Sequence, residues 1–438
     1  MRFSLHGTKV PHRKNTADLK PVKMTAPKTV TLPVKMHIGA PAKAVVKAGD
    51  KVFVGTLIAE ATGAVSAPIH SSVSGEVKKI EPFTSSDGEI CDAIIIESDG
   101  EMKLDGSIKA PIINSKESLI SAIRQSGIVG LGGAGFPTHK KFDVDTDKIE
   151  ELIINGAECE PYITVDTRTM IDRTEDIKVA LSYIKKYLGI KKIIIGIEKN
   201  KPKAIASIKA LASDDEAITV KVLPSLYPQG GEKVLVYHTT GKVIPVGKLP
   251  VDVNCIVSNC TTIADIGKYI KTGIPLVEKC ITVDGSSVKN PMNVIVPIGT
   301  SLSEVFEFSG GYCCEPKKLI YGGPMMGIAV PNGDVPILKN TNAILAFNEH
   351  DSVLTKPQPC IKCGRCINVC PLGINPPALA KALDEHNIAA MKKYGGIACM
   401  ECGCCSYVCP ANRPLVQNHK LIKTELRMEQ TNANGGNK

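Results

Sequence analysis

Cys360-Ile361-Lys362-Cys363-Gly364-Arg365-Cys366-Ile367-Asn368-Val369-Cys370-Pro371 is answered further on by Cys399-Met400-Glu401-Cys402-Gly403-Cys404-Cys405-Ser406-Tyr407-Val408-Cys409-Pro410. Both runs read C-x2-C-x2-C-x3-C-P, so one ligand pattern occurs twice in close succession. Nine of the 16 cysteines lie between Cys360 and Cys409, and the other seven are scattered over the first 314 residues. The N-terminus, Met1-Arg2-Phe3-Ser4-Leu5-His6-Gly7 and then Lys9, Arg13 and Lys14, has no apolar run of the kind a secretion signal needs. Cysteines this dense without such a signal point to reduced thiols and metal ligation rather than to disulfides.

The spacing is that of the runs that hold cubane clusters in bacterial two-cluster ferredoxins. Three cysteines of each run wrap a loop around three irons, and the x3 step enters a helix that carries the fourth thiolate to the other cluster. Cys360, Cys363, Cys366 and Cys409 are therefore expected to hold one [4Fe-4S] cluster, and Cys399, Cys402, Cys405 and Cys370 the second. Zinc knuckles also use C-x2-C pairs, but four ligands per zinc give no reason for the duplicated C-x3-C-P ending. Cys404 is supernumerary, as a small buried residue or as a donor near cluster sulfide. Two clusters joined by exchanged ligands form an electron wire.

Outward from this unit, bounded at 356–412, a chain of 438 residues is too long for one core. Its 43% hydrophobic and 22% charged residues are ordinary for a folded soluble protein. No window holds the uncharged apolar run of a spanning helix, so any membrane link is peripheral. Trp is absent and aromatics make up 4%, which speaks against stacking platforms for single-stranded nucleic acid. The net charge of +9 sits wholly in the first 51 residues, with eleven Lys or Arg against Asp18 and Asp50. A basic segment of this kind suits docking on an acidic protein or membrane surface, and no reader motif for nucleic acid accompanies it.

The fold expected is a multidomain α/β chain. Residues 1–105 carry short β-rich runs such as Thr29–Pro33 with close turn residues, which suggests a β barrel-sandwich. It resembles biotinyl and lipoyl carrier modules, but no Lys stands at the hairpin tip Ile69–Ser74, which favours docking over covalent carriage. From 110 to 275, strand-type runs at Leu152–Asn155, Lys192–Ile197, Ile218–Leu223 and Cys255–Ser258 alternate with helical periodicity, the pattern of a parallel α/β layer. Helices are expected at Lys116–Gln125, Asp166–Leu188, Pro202–Ala212, Glu232–Thr239 and Thr262–Lys271. Residues 276–335 have the size of a β-grasp module, and 336–355 read as a connector. The last unit, 413–438, holds one helix over Leu415–Met428 and then a polar, disordered tail.

Four segments of the central region carry ligand chemistry. Gly130-Leu131-Gly132-Gly133-Ala134-Gly135-Phe136-Pro137-Thr138 matches G-x-G-x-x-G, but a helix precedes it and Phe136-Pro137 follows, so it is no dinucleotide fingerprint. What remains is a bare backbone loop able to approach a ring or phosphate, with Lys140 and Lys141 to neutralise the latter. Asn155-Gly156-Ala157-Glu158-Cys159-Glu160-Pro161-Tyr162, Tyr227-Pro228-Gln229-Gly230-Gly231-Glu232 and Ser258-Asn259-Cys260-Thr261-Thr262 all sit at strand exits. Amides and hydroxyls there, beside helix N-termini, suit a flavin, and the carboxylates Glu158, Glu160 and Glu232 suit ribose hydroxyls. Each acid could equally be a helix cap or a solvated charge.

In this order the segments resemble the FMN and NADH site of the flavoprotein subunit of respiratory complex I. With the N-terminal sandwich, the β-grasp module and the two-cluster unit, nearly the whole chain resembles the C subunits of Rnf electron-transport complexes. The resemblance implies that Gly130, Gly132, Lys141, Asn155, Asn259 and Thr262 contact FMN, and that Phe136, Glu160 and Glu232 contact the dinucleotide. Gly133, Glu158, Tyr227 and Gly230 complete the cofactor-binding set. Leu131, Ala157 and Gly231 depart from the complex I pattern, which has Arg, Asp and Glu there, and the second cluster is a further departure. No protein residue is expected to be catalytic, because hydride transfer belongs to the flavin.

NAD(H) exchanges two electrons as hydride and an iron–sulfur cluster takes one, so a converter such as FMN is required between them. The expectation is an NADH-linked FMN and iron–sulfur oxidoreductase subunit, peripheral on the cytoplasmic side of the cell membrane. Its partners would be the other subunits of an ion-translocating complex, and ferredoxin directly or through a sister subunit. Two alternatives stay open: a soluble NADH-dependent reductase resembling the cobalamin reductases of microcompartments, and a non-enzymatic electron-transfer or scaffold subunit with a vestigial glycine loop. Cys159, Cys255, Cys260, Cys280, Cys313 and Cys314 read as incidental thiols.

Overall fold

The structure, a computed structural model, describes residues 6–85 and 88–435, side chains from residue 430 on excepted. The expectations for Met1–Leu5 and for residues 436–438 lie outside the described residues.

The central layer forms because four apolar runs alternate with amphipathic helices. Strands Ile218–Leu223, Ile193–Glu198, Glu151–Gly156 and Cys255–Asn259 lie side by side in that order, all parallel. Ile193–Glu198 is buried at every residue, as a strand covered by helices on both faces must be. Helix Lys116–Gln125 starts where Ser115 accepts from the Ser118 N–H, and helix Cys260–Thr272 starts where Asn259 accepts from the N–H groups of Thr261 and Thr262. The C-terminal ends of all four strands point to one edge, and the glycine loop sits beside that of Cys255–Asn259.

The expected helix over Asp166–Leu188 is two helices, Val165–Asp172 and Thr174–Leu188. Arg173 leaves the helical conformation at φ −126° and ψ 30°. Its guanidinium donates to Asp176 at 2.9 Å and to Asp265 on the helix Cys260–Thr272 at 2.6 Å. The apolar periodicity runs through the break, so the sequence hides it.

On the N-terminal side a four-stranded sheet, Thr29–Pro33, Ile90–Ser98, Gly75–Thr84 and Lys51–Val52, faces a three-stranded one, Lys43–Ala44, Leu57–Glu60 and Ile69–His70. This is the barrel-sandwich, and its core residues Val30, Leu32, Ile94 and Ile96 are continuous with the core of the central layer. The third unit is a six-stranded sheet in the order Val22–Lys23, Met292–Pro297, Glu278–Asp284, Ala343–Phe347, Lys318–Tyr321 and Ile328–Val330.

Two boundaries differ from the expected ones. Residues 336–355 are not merely a connector: Ala343–Phe347 is buried throughout and pairs in parallel with Glu278–Asp284 and antiparallel with Lys318–Tyr321. A five-residue apolar run is the signal of such a strand. At the other end, Val22–Lys23 joins this same sheet beside Met292–Pro297 rather than the sandwich.

The C-terminal unit packs helix Pro376–Asp384 and helix Ile388–Lys393 against helix Leu415–Gly435 through Leu379, Met391, Ile422 and Leu426. That last helix continues past Met428 through residues 431–435, where a disordered tail is expected from the polar composition. No helix among the described residues is long and apolar enough to cross a membrane.

Candidate functional site

At the C-terminal edge of the parallel sheet the four sequence segments converge. The glycine loop is closed by Gly130 N–H donating to Phe136 O at 2.8 Å and by Gly135 N–H donating to Gly130 O at 3.0 Å. Leu131 N–H donates to Thr262 Oγ1 at 3.0 Å, which pins the loop to the N-terminus of helix Cys260–Thr272. Asn340 Nδ2, which no motif in the sequence marks, donates to Gly133 O at 2.9 Å. Gly132, Gly133 and Ala134 remain exposed at the tip, and Phe136 is half-buried beside them. A Cβ at Gly132 would press on the Asn259 side chain, 3.1–3.2 Å away, so any larger residue would require Asn259 to give by a few tenths of an ångström.

The polar residues are held by one another. Asn155 Nδ2 donates to Gly230 O at 2.8 Å, and its Oδ1 accepts from Ala157 N–H at 3.2 Å. Asn259 caps its helix and donates through Nδ2 to Asp166 at 2.8 Å. Lys141 Nζ donates to Val257 O at 3.1 Å and stands 3.9 Å from the Glu232 carboxylate, joining residues 91 positions apart in sequence. Lys140 is engaged by Asp143 at 2.6 Å. Of the two lysines, Lys141 is the one directed along the sheet edge.

Glu158 is placed differently from a ribose ligand. Its buried carboxylate accepts from the N–H groups of Asp166 and Thr167 and from Thr167 Oγ1, at 2.6, 3.4 and 2.5 Å. It caps helix Val165–Asp172, with burial pushing its pKa up. Lys14 lies 4.0 Å from it and donates to the carbonyls of Glu158, Glu160 and Ile163 at 2.8, 2.8 and 2.6 Å. Burial lowers the Lys14 pKa to about 8. Thr8 pairs with Tyr227, and Asn293 donates to Thr16 O, so the basic N-terminal segment is a strap over these loops. Part of the charge read as a docking surface is spent inside the chain: Lys14 here, Lys23 on Glu278 and Lys35 on Glu89.

Glu160 reaches the six-stranded unit. Its carboxylate accepts from Met326 N–H at 2.8 Å and Met325 N–H at 3.1 Å, and burial raises its pKa to about 7. Tyr227, buried next to it and followed by a cis peptide bond to Pro228, donates through Oη to the Cys402 carbonyl at 2.7 Å. Cys404 Sγ lies 3.8 Å from Tyr227 O. A Cβ at Gly231 would meet the Met400 methyl, the movable end of that side chain, so the cluster loop and the nucleotide-side loop approach closely here. This junction leaves no local signal in the sequence, because Tyr227, Met325, Met400 and Cys402 come from three separate regions.

The two cysteine runs fold alike. Lys362 and Glu401, at matching positions, have φ of 56° and 58°. Their N–H groups point at Cys360 Sγ and Cys399 Sγ, at 3.4 and 3.3 Å. Cys370, Cys399, Cys402 and Cys405 line one cavity together with Leu372, Ile374, Val416 and His419. Cys366 is in electrostatic reach of Cys363 and Cys409. As free thiols, Cys399 and Cys405 are pushed by burial up to about 11 and about 12, so a bound cation is needed to hold them as thiolates. Five buried thiols line this mostly apolar cavity, and four of them, Cys370, Cys399, Cys402 and Cys405, stand at the positions of the ligand pattern, so with N–H groups on the sulfurs they fit a cubane cluster, Cys404 being the supernumerary fifth. Cys360 and Cys363 are exposed. For the flavin, the fit rests on the open glycine tip and on Ser258 Oγ, which is buried at the sheet edge with no hydrogen-bond partner among the described residues.

Four family models match in series: the RnfC barrel sandwich hybrid domain over residues 3–101, the Nuo51 FMN-binding domain over 123–268, the SLBB domain over 280–329 and the 4Fe-4S dicluster domain over 352–414. The chain is 41% identical over 423 residues to the C subunit of the proton-translocating ferredoxin:NAD(+) oxidoreductase complex of Clostridium ljungdahlii, covering 95% of this chain and 92% of that one. It is 37% identical over 434 residues to the C subunit of the Na(+)-translocating ferredoxin:NAD(+) oxidoreductase complex of Acetobacterium woodii, covering 98% of each. It is 38% identical over 440 residues to the C subunit of the ion-translocating oxidoreductase complex of Rhodobacter capsulatus, covering 98% of this chain and 84% of that one.

Proposed function

Because this chain belongs to the family of C subunits of ion-translocating ferredoxin:NAD+ oxidoreductase complexes, we propose that it is the component at which NAD(H) exchanges electrons with such a complex, bound peripherally on the cytoplasmic side of the membrane. The observation that carries this reading is the Tyr227 hydroxyl on the Cys402 carbonyl, which joins the nucleotide-side loops to the cluster loops.

FMN, when bound, turns the electron pair of a hydride into the single electrons that iron–sulfur clusters accept. The exposed tip Gly132-Gly133 lets the backbone meet a flat ring, and Gly130 and Thr262 fix the loop around it. Lys141 supplies the cation for the phosphate, while Asn155, Gly230 and Asn259 frame the edge opposite. Phe136 and Glu232 are left for the dinucleotide, Glu232 being half-exposed next to Lys141, and Glu160 would meet it with a carboxylate that also accepts from the Met325 and Met326 N–H groups. Cys370, Cys399, Cys402 and Cys405 hold the cluster on the Tyr227 side, and Cys360, Cys363, Cys366 and Cys409 hold the one that faces a partner.

A chain loaded with FMN should pass electrons from NADH to a one-electron acceptor such as ferricyanide, and the same chain stripped of FMN should not. Equal rates in the two preparations would sink the reading. Reversing the charge at Lys141 tests the phosphate contact: Lys141→Glu should weaken FMN binding about 10- to 100-fold, the worth of one charge-assisted hydrogen bond. Flavin fluorescence titration reads this, and unchanged affinity would remove Lys141 from the site.

A further inference from the structure

Helix Leu415–Gly435 carries a residue whose polarity no described part of the polypeptide uses. His419 is 2% exposed, and neither Nδ1 nor Nε2 has a hydrogen-bond partner among the described residues. It lines the cavity enclosed by Cys370, Cys399, Cys402 and Cys405, with Val416 one turn earlier on the same helix. Leu372, Ile374, Pro376 and Met400 also line that cavity, so an apolar side chain would suit position 419 and would avoid burying an unpaired polar ring. In either tautomer a neutral imidazole presents one N–H. The acceptors such a cavity offers, once a cluster is in it, are sulfurs.

We propose that His419 donates a hydrogen bond to a sulfur of the four-iron cluster held by Cys370, Cys399, Cys402 and Cys405, and thereby raises the reduction potential of that cluster. The inference rests on the cluster assignment above. Hydrogen bonds to cluster sulfurs are among the levers that set potential, because an N–H dipole aimed at sulfur stabilises the added electron. His419 is thus a tuning residue that acts through the cluster rather than a ligand to iron.

The test is an anaerobic potentiometric titration by EPR of the full chain, reconstituted with iron and sulfide, as wild type, His419→Phe and His419→Gln. With about eight irons per chain retained, one midpoint should fall in the Phe variant. The expected shift is roughly tenfold in the ratio of reduced to oxidised cluster at fixed potential, about 59 mV for one electron. The other midpoint should not move, and Gln, which restores an N–H donor, should recover most of the shift. Wild-type chain labelled with 15N-histidine should also show a 15N hyperfine coupling on one reduced cluster. Unmoved midpoints in an iron-replete Phe variant, or no 15N coupling in the wild type, would overturn the proposal. Wild-type chain that takes up only about four irons would overturn the cluster assignment instead.

Discussion

Replacing Cys399 with Ser is expected to leave about four irons per chain in place of about eight, and to abolish NADH-driven reduction of the cluster that remains. The reason is position. Cys399 shares its cavity with Cys402, whose carbonyl receives the Tyr227 hydroxyl, and Met400 between them packs on Gly231 of the nucleotide-side loop. Cys360 and Cys363 lie at the surface and take no part in the buried group of side chains that packs Cys402, Cys404 and Met400 around Tyr227. A Cys363→Ser chain should therefore also lose about four irons, yet keep a cluster that NADH reduces. Iron analysis with EPR after mixing with NADH reads both variants. A Cys399→Ser chain whose surviving cluster is reduced as fast as in the wild type would show that this junction is not the route.

Lys14→Met should cost about 3–5 kcal/mol of stability, the usual result of removing one partner from a buried charged pair. Three carbonyls, of Glu158, Glu160 and Ile163, lose their common donor, and Glu158 loses the cation 4.0 Å away. Methionine keeps the length of the side chain and none of those bonds. Because the loop Glu158–Ile163 carries Glu160, nucleotide affinity should fall with stability. Denaturant unfolding followed by circular dichroism measures the first effect. A loss below about 1 kcal/mol would mean that the loop stands without its strap, since a surface lysine contributes no more than that.

The cysteine pattern was legible because ligand spacing is local: four thiols and a proline at fixed steps leave few other solutions. The parallel layer was legible for a similar reason, since Ile193–Glu198 and Ile218–Leu223 are short apolar runs between amphipathic helices. Ala343–Phe347 carried the same signal, but it lies between polar residues Lys339-Asn340-Thr341-Asn342 and Asn348-Glu349, and its partners are distant in sequence. The site was legible as a set of segments and not as individual roles. Glu158 and Asn259 have the chemistry to hold a ligand, and the same chemistry lets them cap helices, which is where the chain spends it. Lys14 counted as surface charge because a sum of charges contains no burial. His419, in a helix with polar residues on several faces, is told apart only by what surrounds it in three dimensions.

The central claim is that one chain takes electrons from NADH at the sheet edge and delivers them to its cysteine-bound clusters. An anaerobic titration of the iron-reconstituted chain with NADH, with and without bound FMN and followed by visible absorption and EPR together, tests it most directly. The expected result is bleaching of the bound flavin, with reduced-cluster signals that appear only in the FMN-loaded sample. Clusters that dithionite reduces but NADH never does, in a sample that retains its flavin, would contradict it.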